Sequence, residues 1–520
     1  MELLLAFIPF LVFFTTSKTS FLDAAATVSE FPYPFMTADA EKAIGRTYDY
    51  IIVGGGTAGC PLAATLSHHH SVLVLERGGS PYGNPEIEDA TLFGKALNET
   101  NEYTSIAQAV LTEDGVELAR ARVLGGGTAL NAGFYSRASL QHIRSIGWDE
   151  KLVNESYEWI EKEVAFRPYR LSIWNSAFRD ALLEAGVLPY NGYTVDHVEG
   201  TKISASTFDS YGKRHTAADF FKHANPHNIV VLLNATVSRI IFHSVSGKLK
   251  ARGVEFMNSI DGRSFQVSLN ESSILNEVIL SAGSMGSPQL LLLSGIGPSQ
   301  QLKQLNIPVL LNFPSVGKGI QDNPRATIAL ESPIRLEISS IQAVAILNGS
   351  QVYIESSSNF ELLNDTIQYY GNIFEKQAFP LSRGELRLRN KDPRDNPSVR
   401  YNYYSHPQDL HTCIHGVKVI AKLTETTSIQ YFSFKSNNTT MLHFIGEPLP
   451  DMKNSDDEAL AKFCRDTLNT MWHFHGGCQI ESVVDKRYKL KGVDGVRIVD
   501  GSTFNDSPGT NPQATTMMLG

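Results

Sequence analysis

Residues 48–59 read YDYIIVGGGTAG and run on into CPLAATLSHHHSVLVLERGG, and nothing else in the chain limits its fold so tightly. Tyr50–Val53 is a short apolar strand. Gly54, Gly56 and Gly59 supply G-x-G-x-x-G, and Pro61–Ser67 has helical composition. Val72–Leu75 is a second strand, ending at Glu76. Strand, glycine turn, helix, strand and acid stand in the order of a Rossmann unit, which predicts an α/β fold with a dinucleotide site. Gly54 allows the tight turn, Gly56 lets the backbone approach a pyrophosphate, and Gly59 lets helix and strand pack closely. Amides at the helix start face the phosphates with the favourable end of the dipole. Glu76 is placed to accept hydrogen bonds from the adenosine ribose and repels a 2′-phosphate, which favours FAD or NAD over NADP.

The chain has 520 residues, more than one core usually supports, so two or three lobes are expected. A net charge of −9 without a Lys/Arg block argues against nucleic acid as a partner. Leu3–Phe14 is an apolar run too short to span a bilayer, and residues 1–20 are expected to be a signal peptide although Glu2 stands where Lys or Arg is usual. No later run reads as a membrane span, so a secreted product, or one of the endomembrane lumen, is expected. Asn98, Asn154, Asn234, Asn270, Asn348, Asn364, Asn437, Asn438 and Asn505 head glycosylation sequons, which permit that route without proving it. Cys60, Cys413, Cys464 and Cys478 suffice for one disulfide, whose pairing the spacing leaves open. The triplet His68, His69, His70 reads as a polar turn, and no metal-ligand spacing appears.

The stretch MWHFHGGCQI, 471–480, holds two histidines two residues apart, a spacing that fits a strand and misses one face of a helix. Periodicity does not say which of them does chemistry. RARVLGGGTALNAGFY at 120–135 and GSMGSPQLLLLSGIG at 283–297, the latter following EVILSAG, are similar to the two signature motifs of the glucose-methanol-choline (GMC) FAD oxidoreductases. VGKGIQDNP at 316–324 and VRIVDGSTF at 496–504 extend that resemblance over nearly the whole mature chain. It implies FAD held in a discontinuous Rossmann-like domain, with a second domain built on a mostly antiparallel sheet that covers the flavin: α/β locally, α+β overall. The flavin domain is expected at 46–150, 205–328 and 465–520, and the substrate domain at 151–204 and 329–464. By motif position the resemblance implies flavin contacts at Gly54, Gly56, Thr57, Ala58, Gly59, Glu76, Arg77, Val123, Gly127, Asn131, Ala132, Gly133, Phe134, Val237, Trp472, His473, Asp500, Gly501, Pro512 and Gln513. Val237 lies in NATVSRIIF, a strand expected to touch the adenine through its backbone.

CPLAATLS, RHTAAD, NYYSHPQDL and HGGC look like the plant branch of the family that holds (R)-mandelonitrile lyase and the HOTHEAD-type proteins. That branch implies a disulfide between Cys413 and Cys464. The family motif His-x-x-Gly-x-Cys, laid on HFHGGC, selects His473 as the catalytic base and leaves His475 to pack. A neutral imidazole can take the hydroxyl proton while hydride leaves for the flavin. The resemblance also implies a second catalytic residue just before Pro-Gln, a position held here by Asn511, whose amide can donate to the substrate oxygen without competing for the proton. The leading expectation is a monomeric FAD-dependent alcohol oxidoreductase with a small-molecule alcohol substrate. Its rival is a hydroxynitrile lyase that cleaves a cyanohydrin to aldehyde and cyanide. Lyases of the branch resembled carry histidine in place of Asn511, tyrosine in place of Met471 and a cysteine near SQVYIESSS, none of which this chain has. A third expectation, a truncated inactive paralogue, follows from the stop at TTMMLG, where relatives continue the final helix, and from a short covering region near Leu336–Leu386.

Overall fold

In the computed structural model, which describes residues 31–520 apart from 99, 274, 348, 350, 360–368, 437 and 438, the glycine turn sits at the centre of a parallel sheet. The expected signal peptide and the sequons at Asn348, Asn364, Asn437 and Asn438 lie outside the described residues. Strands Tyr50–Val53 and Val72–Leu75 pair parallel, Tyr50 opposite Val72, and every residue of both is buried. Sheets covered on both faces read as unbroken apolar runs, which is why these strands were visible in the sequence. The helix runs Gly59–Leu66, two residues ahead of its expected start, with Pro61 in the first turn, where no amide hydrogen bond is lost.

Six parallel strands make the sheet, in the order Met36–Thr37, Ile229–Leu232, Val72–Leu75, Tyr50–Val53, Glu277–Leu280, Val496–Ile498. The order reverses beside Tyr50–Val53, because the chain goes first to one flank of that strand and later to the other. Ligands of open α/β sheets bind at the carboxyl ends of the strands at such a point. An antiparallel sheet of Ala235–Val245, Lys248–Asn258 and Ser264–Leu269 packs into the same core.

A second sheet of eight strands is antiparallel except where Tyr190–Tyr193 runs parallel to Gly200–Ile203. Strand Pro324–Glu331 belongs to it and runs across the expected domain limit at 328; Asn469–Thr470, expected with the flavin domain, pairs with that strand. One face, with Ile328, Ile354 and Ile373, packs under helices Ile173–Glu184 and Pro407–Thr424. Cys413 of the second helix is joined by a disulfide to Cys464 of helix Asp457–Asp466. The other face carries Arg325, Phe374 and Lys376 toward the parallel sheet. The strands Val352–Ser358 and Tyr370–Gln377 are therefore buried on both sides. No helix among the described residues is long and apolar enough to cross a membrane.

Candidate active site

A cavity of about 340 Å³ opens between the two sheets and is lined both by the glycine turn and by His473. At the turn each glycine does a different job. Gly54 has φ +99°, and a Cβ there would lie 2.5 Å from the Ser281 carbonyl oxygen. A Cβ on Gly59 would stand 2.1 Å from the Gly54 oxygen, whereas one on Gly56 would meet nothing nearer than 3.7 Å, since this glycine faces the cavity. The backbone at Gly56 is thus bare toward any ligand. Gly59 stands behind the turn, outside the cavity wall, where it supports the expected close packing of helix and strand.

Glu76, also in the wall, is fixed by two backbone amides: Gly55 N donates to Oε2 at 2.9 Å and Gly78 N to Oε1 at 2.8 Å. Each oxygen keeps a further lone pair free to accept a hydrogen bond. Burial pushes the carboxyl upward, and the amides and Arg77 pull against it. Arg77 lines the cavity but spends its guanidinium on the protein, donating to Gln108 and to the Ala121 carbonyl. Asn131 accepts from Gly133 N at 2.9 Å and donates to Gln513 Oε1 at 2.7 Å, tying the glycine-rich loop to the C-terminal segment. Asp500 accepts from Gly283 N and Ser287 Oγ, which fixes the start of helix Gly283–Leu293 beside the cavity.

The histidine end is held by Asp322. Its carboxylate accepts from His473 N at 2.8 Å, from Tyr403 Oη at 2.6 Å and from Thr470 Oγ1, and burial raises it to about 6 despite those donors. Trp472, just before His473, holds φ +56°, a left-handed conformation costly for a bulky residue. Hydrogen bonds from Trp472 N to Thr470 Oγ1 and from His473 N to Asp322 maintain it. The His473 ring makes no hydrogen bond among the described residues. Nδ1 is sealed off and unpartnered, which leaves Nε2 as the nitrogen open to the cavity. Burial, then the charges of Lys376, His475 and Arg325, hold this imidazole well below the usual histidine range, so it is neutral in mild acid and above.

His475 is built in differently. Its backbone exchanges two hydrogen bonds of 2.9 Å with Gln321, and its Nδ1 donates to the His473 carbonyl at 2.8 Å. It therefore supports the segment that carries His473. Asn511 lines the cavity, and its Oδ1 accepts from Lys376 Nζ at 2.7 Å. Lys376 also donates to Glu355 Oε1 at 2.7 Å, and both side chains are fully buried.

Every other residue expected at the flavin or in catalysis, from Gly54 to Gln513, lines this one cavity. Sequence reasoning missed Arg120, Arg325, Ile341 and Phe374 in its wall and Asp322, Lys376 and Glu355 behind it. Arg325 lies over the rings of Phe374 at 5.2 Å and Trp472 at 5.3 Å. Beside them Phe134, Ile341, Val344, Phe374 and Met471 form a small apolar cluster. The bare Gly56 backbone, the amide-fixed Glu76 and the Asn131–Gln513 clasp fit FAD.

Residues 48–325 and 380–520 match the N-terminal and C-terminal regions of the GMC oxidoreductases. The chain is 42% identical over 555 aligned positions to protein HOTHEAD of Arabidopsis thaliana, covering 98% of this chain and 92% of that protein. It is 46% identical to the (R)-mandelonitrile lyase-like protein of the same plant, over 91% of this chain and 88% of that one. Against sinalpyl alcohol oxidase Nec3 of Nesocodon mauritianus it is 45% identical, over 91% and 87%. Among solved structures, a variant of Aspergillus oryzae formate oxidase studied for FAD modification superposes with TM-score 0.75 at 18% identity, over 91% of this chain and 97% of that one. Pyridoxine 4-oxidase of Mesorbium loti gives TM-score 0.76 at 21% identity with the same coverage.

Proposed function

The chain belongs to the GMC oxidoreductase family, and from that premise we propose that it is a secreted, monomeric, FAD-dependent alcohol oxidoreductase. The observation that carries the proposal is the pairing of a neutral, unpartnered His473 ring with the Asn511 amide on one cavity wall. FAD, when bound, supplies the hydride acceptor. His473 takes the hydroxyl proton at Nε2 as the carbon–hydrogen bond breaks, and burial with nearby cations keeps the ring ready for it. Asn511 donates to the substrate oxygen as negative charge gathers there. The Asp322 carboxylate and His475 hold the backbone that aims His473. The apolar cluster around Met471 excludes water and favours aromatic or long-chain alcohols.

Cyanohydrin cleavage is the second reading, supported by the 46% identity to an (R)-mandelonitrile lyase-like protein. It ranks second because buried, apolar Met471 offers no hydrogen bond to a departing anion. The test is to mix the purified flavoprotein without oxygen with aromatic and long-chain alcohols and follow the flavin absorbance. Bleaching is expected, and His473→Ala should slow it by about 10² or more with the yellow colour retained. A yellow protein that no alcohol bleaches, but that releases cyanide from cyanohydrins, overturns the redox reading. A colourless protein restores the inactive-paralogue reading.

A further inference from the structure

Asn511 reaches the cavity and Lys376 does not, yet the two are hydrogen-bonded, so a side chain hidden from any substrate touches one that is not. A side-chain amide is a donor at one end and an acceptor at the other, and a half-turn about its last bond exchanges them. What sits behind the amide therefore decides which end the substrate meets. We propose that Lys376 is a positioning residue, whose Nζ holds the Asn511 carbonyl oxygen and so turns Nδ2, a donor, toward the substrate oxygen. This inference rests on the alcohol-oxidising reading above.

Three features support it. Lysine offers hydrogens, so the atom of Asn511 that faces it is the oxygen. Glu355 Oε1 accepts from the same nitrogen at 2.7 Å, and the Tyr353 ring lies 4.3 Å away, which leaves the Lys376 head no free rotation. Whichever member of the Lys376–Glu355 pair holds the shared proton, Nζ keeps a hydrogen for Asn511. Arg325, directly opposite on the neighbouring strand, Lys202 and the neutral His473 ring also face Lys376, and it is Lys376 whose nitrogen reaches the Asn511 oxygen at 2.7 Å. Without Lys376 the amide can flip and aim its oxygen at the substrate oxygen, where the two repel as charge develops.

Lys376→Met alone strands a buried carboxylate and risks misfolding, so the variant to make is Glu355→Gln with Lys376→Met, which keeps the net charge. It is compared with Asn511→Ala and with the triple variant, each checked for flavin content. Two readouts are taken: binding of 4-methoxybenzaldehyde, an acceptor-only product analogue, through the flavin spectrum, and anaerobic flavin reduction by 4-methoxybenzyl alcohol. The double variant and Asn511→Ala should each weaken aldehyde binding and slow reduction by about 10-fold, the worth of one good hydrogen bond. The triple variant should be no worse than Asn511→Ala. A triple loss equal to the product of the two, or a double variant within about two-fold of wild type, overturns the role of Lys376. So does aldehyde affinity indifferent to Asn511→Ala. If aldehyde binds through Asn511 and needs Lys376, but no alcohol reduces the flavin, the positioning stands and the redox reading falls.

Discussion

Glu375 projects from the second sheet away from the cavity, under helix Pro407–Thr424, where its side chain fills the notch left by Gly416. Neither carboxyl oxygen has a well-aligned hydrogen-bond partner among the described residues; burial raises the group from 4.5 to about 8, and the nearby Ala326 amide pulls only weakly against it. Between those two values the folded protein keeps a proton that the unfolded chain has released. Stability is therefore full below about pH 4.5, falls by about 1.4 kcal/mol per pH unit, and levels off above about pH 8. Across the whole window the loss is on the order of 3–5 kcal/mol, after allowance for water entering the opened site. Glu375→Gln keeps the shape and does not titrate. Melting curves of both proteins, flavin-loaded, from pH 5 to pH 8.5 should show the variant gaining several °C on wild type as pH rises, because every other titrating group cancels in the difference. A gap that stays constant with pH, or that moves in favour of wild type, would falsify the account of Glu375 as a buried neutral acid.

Gly56→Ala should fold within about 1 kcal/mol of wild type and yet lose its yellow colour, because the new methyl enters the cavity and meets no protein atom closer than 3.7 Å. Gly59→Ala should fail earlier, as insoluble or easily proteolysed protein, since its methyl would lie 2.1 Å from a backbone oxygen; solubility and flavin content of the pair separate the two roles. Replacing Cys413 and Cys464 together by alanine opens a loop of 51 residues and should cost about 4 kcal/mol by denaturant melting. Flavin content should survive, because the disulfide ties two helices on the far face of the second sheet; loss of colour at full solubility would contradict that placement.

Much of the flavin end was legible because its requirements are local. Gly59 meets a backbone oxygen five residues away and Gly54 one at the end of the adjacent strand, and the apolar strands beside them are buried on both faces. The histidine end was legible only through family resemblance, since periodicity does not separate His473 from His475. The supporting residues were hidden for physical reasons. Asp322 stands in QDNP, which reads as a turn, and becomes an anchor only when residues 470–473 fold back onto it. Glu355, Glu375 and Lys376 lie in strands whose charged residues suggest exposure. Their burial depends on which strands become neighbours, information spread over residues 202–376.

The parallel sheet draws its strands from residue 36 to residue 498, with Tyr50–Val53 and Val496–Ile498 flanking the same Glu277–Leu280. On the ribosome, the glycine turn therefore emerges hundreds of residues before the segment that closes the wall around it. Until residues 496–513 are out, the nascent chain has half a cradle and an unpaired edge on strand Glu277–Leu280. Flavin loading is then expected to come late, and the yellow colour of a preparation should report chains made through the C-terminal clasp of Asn131 and Gln513.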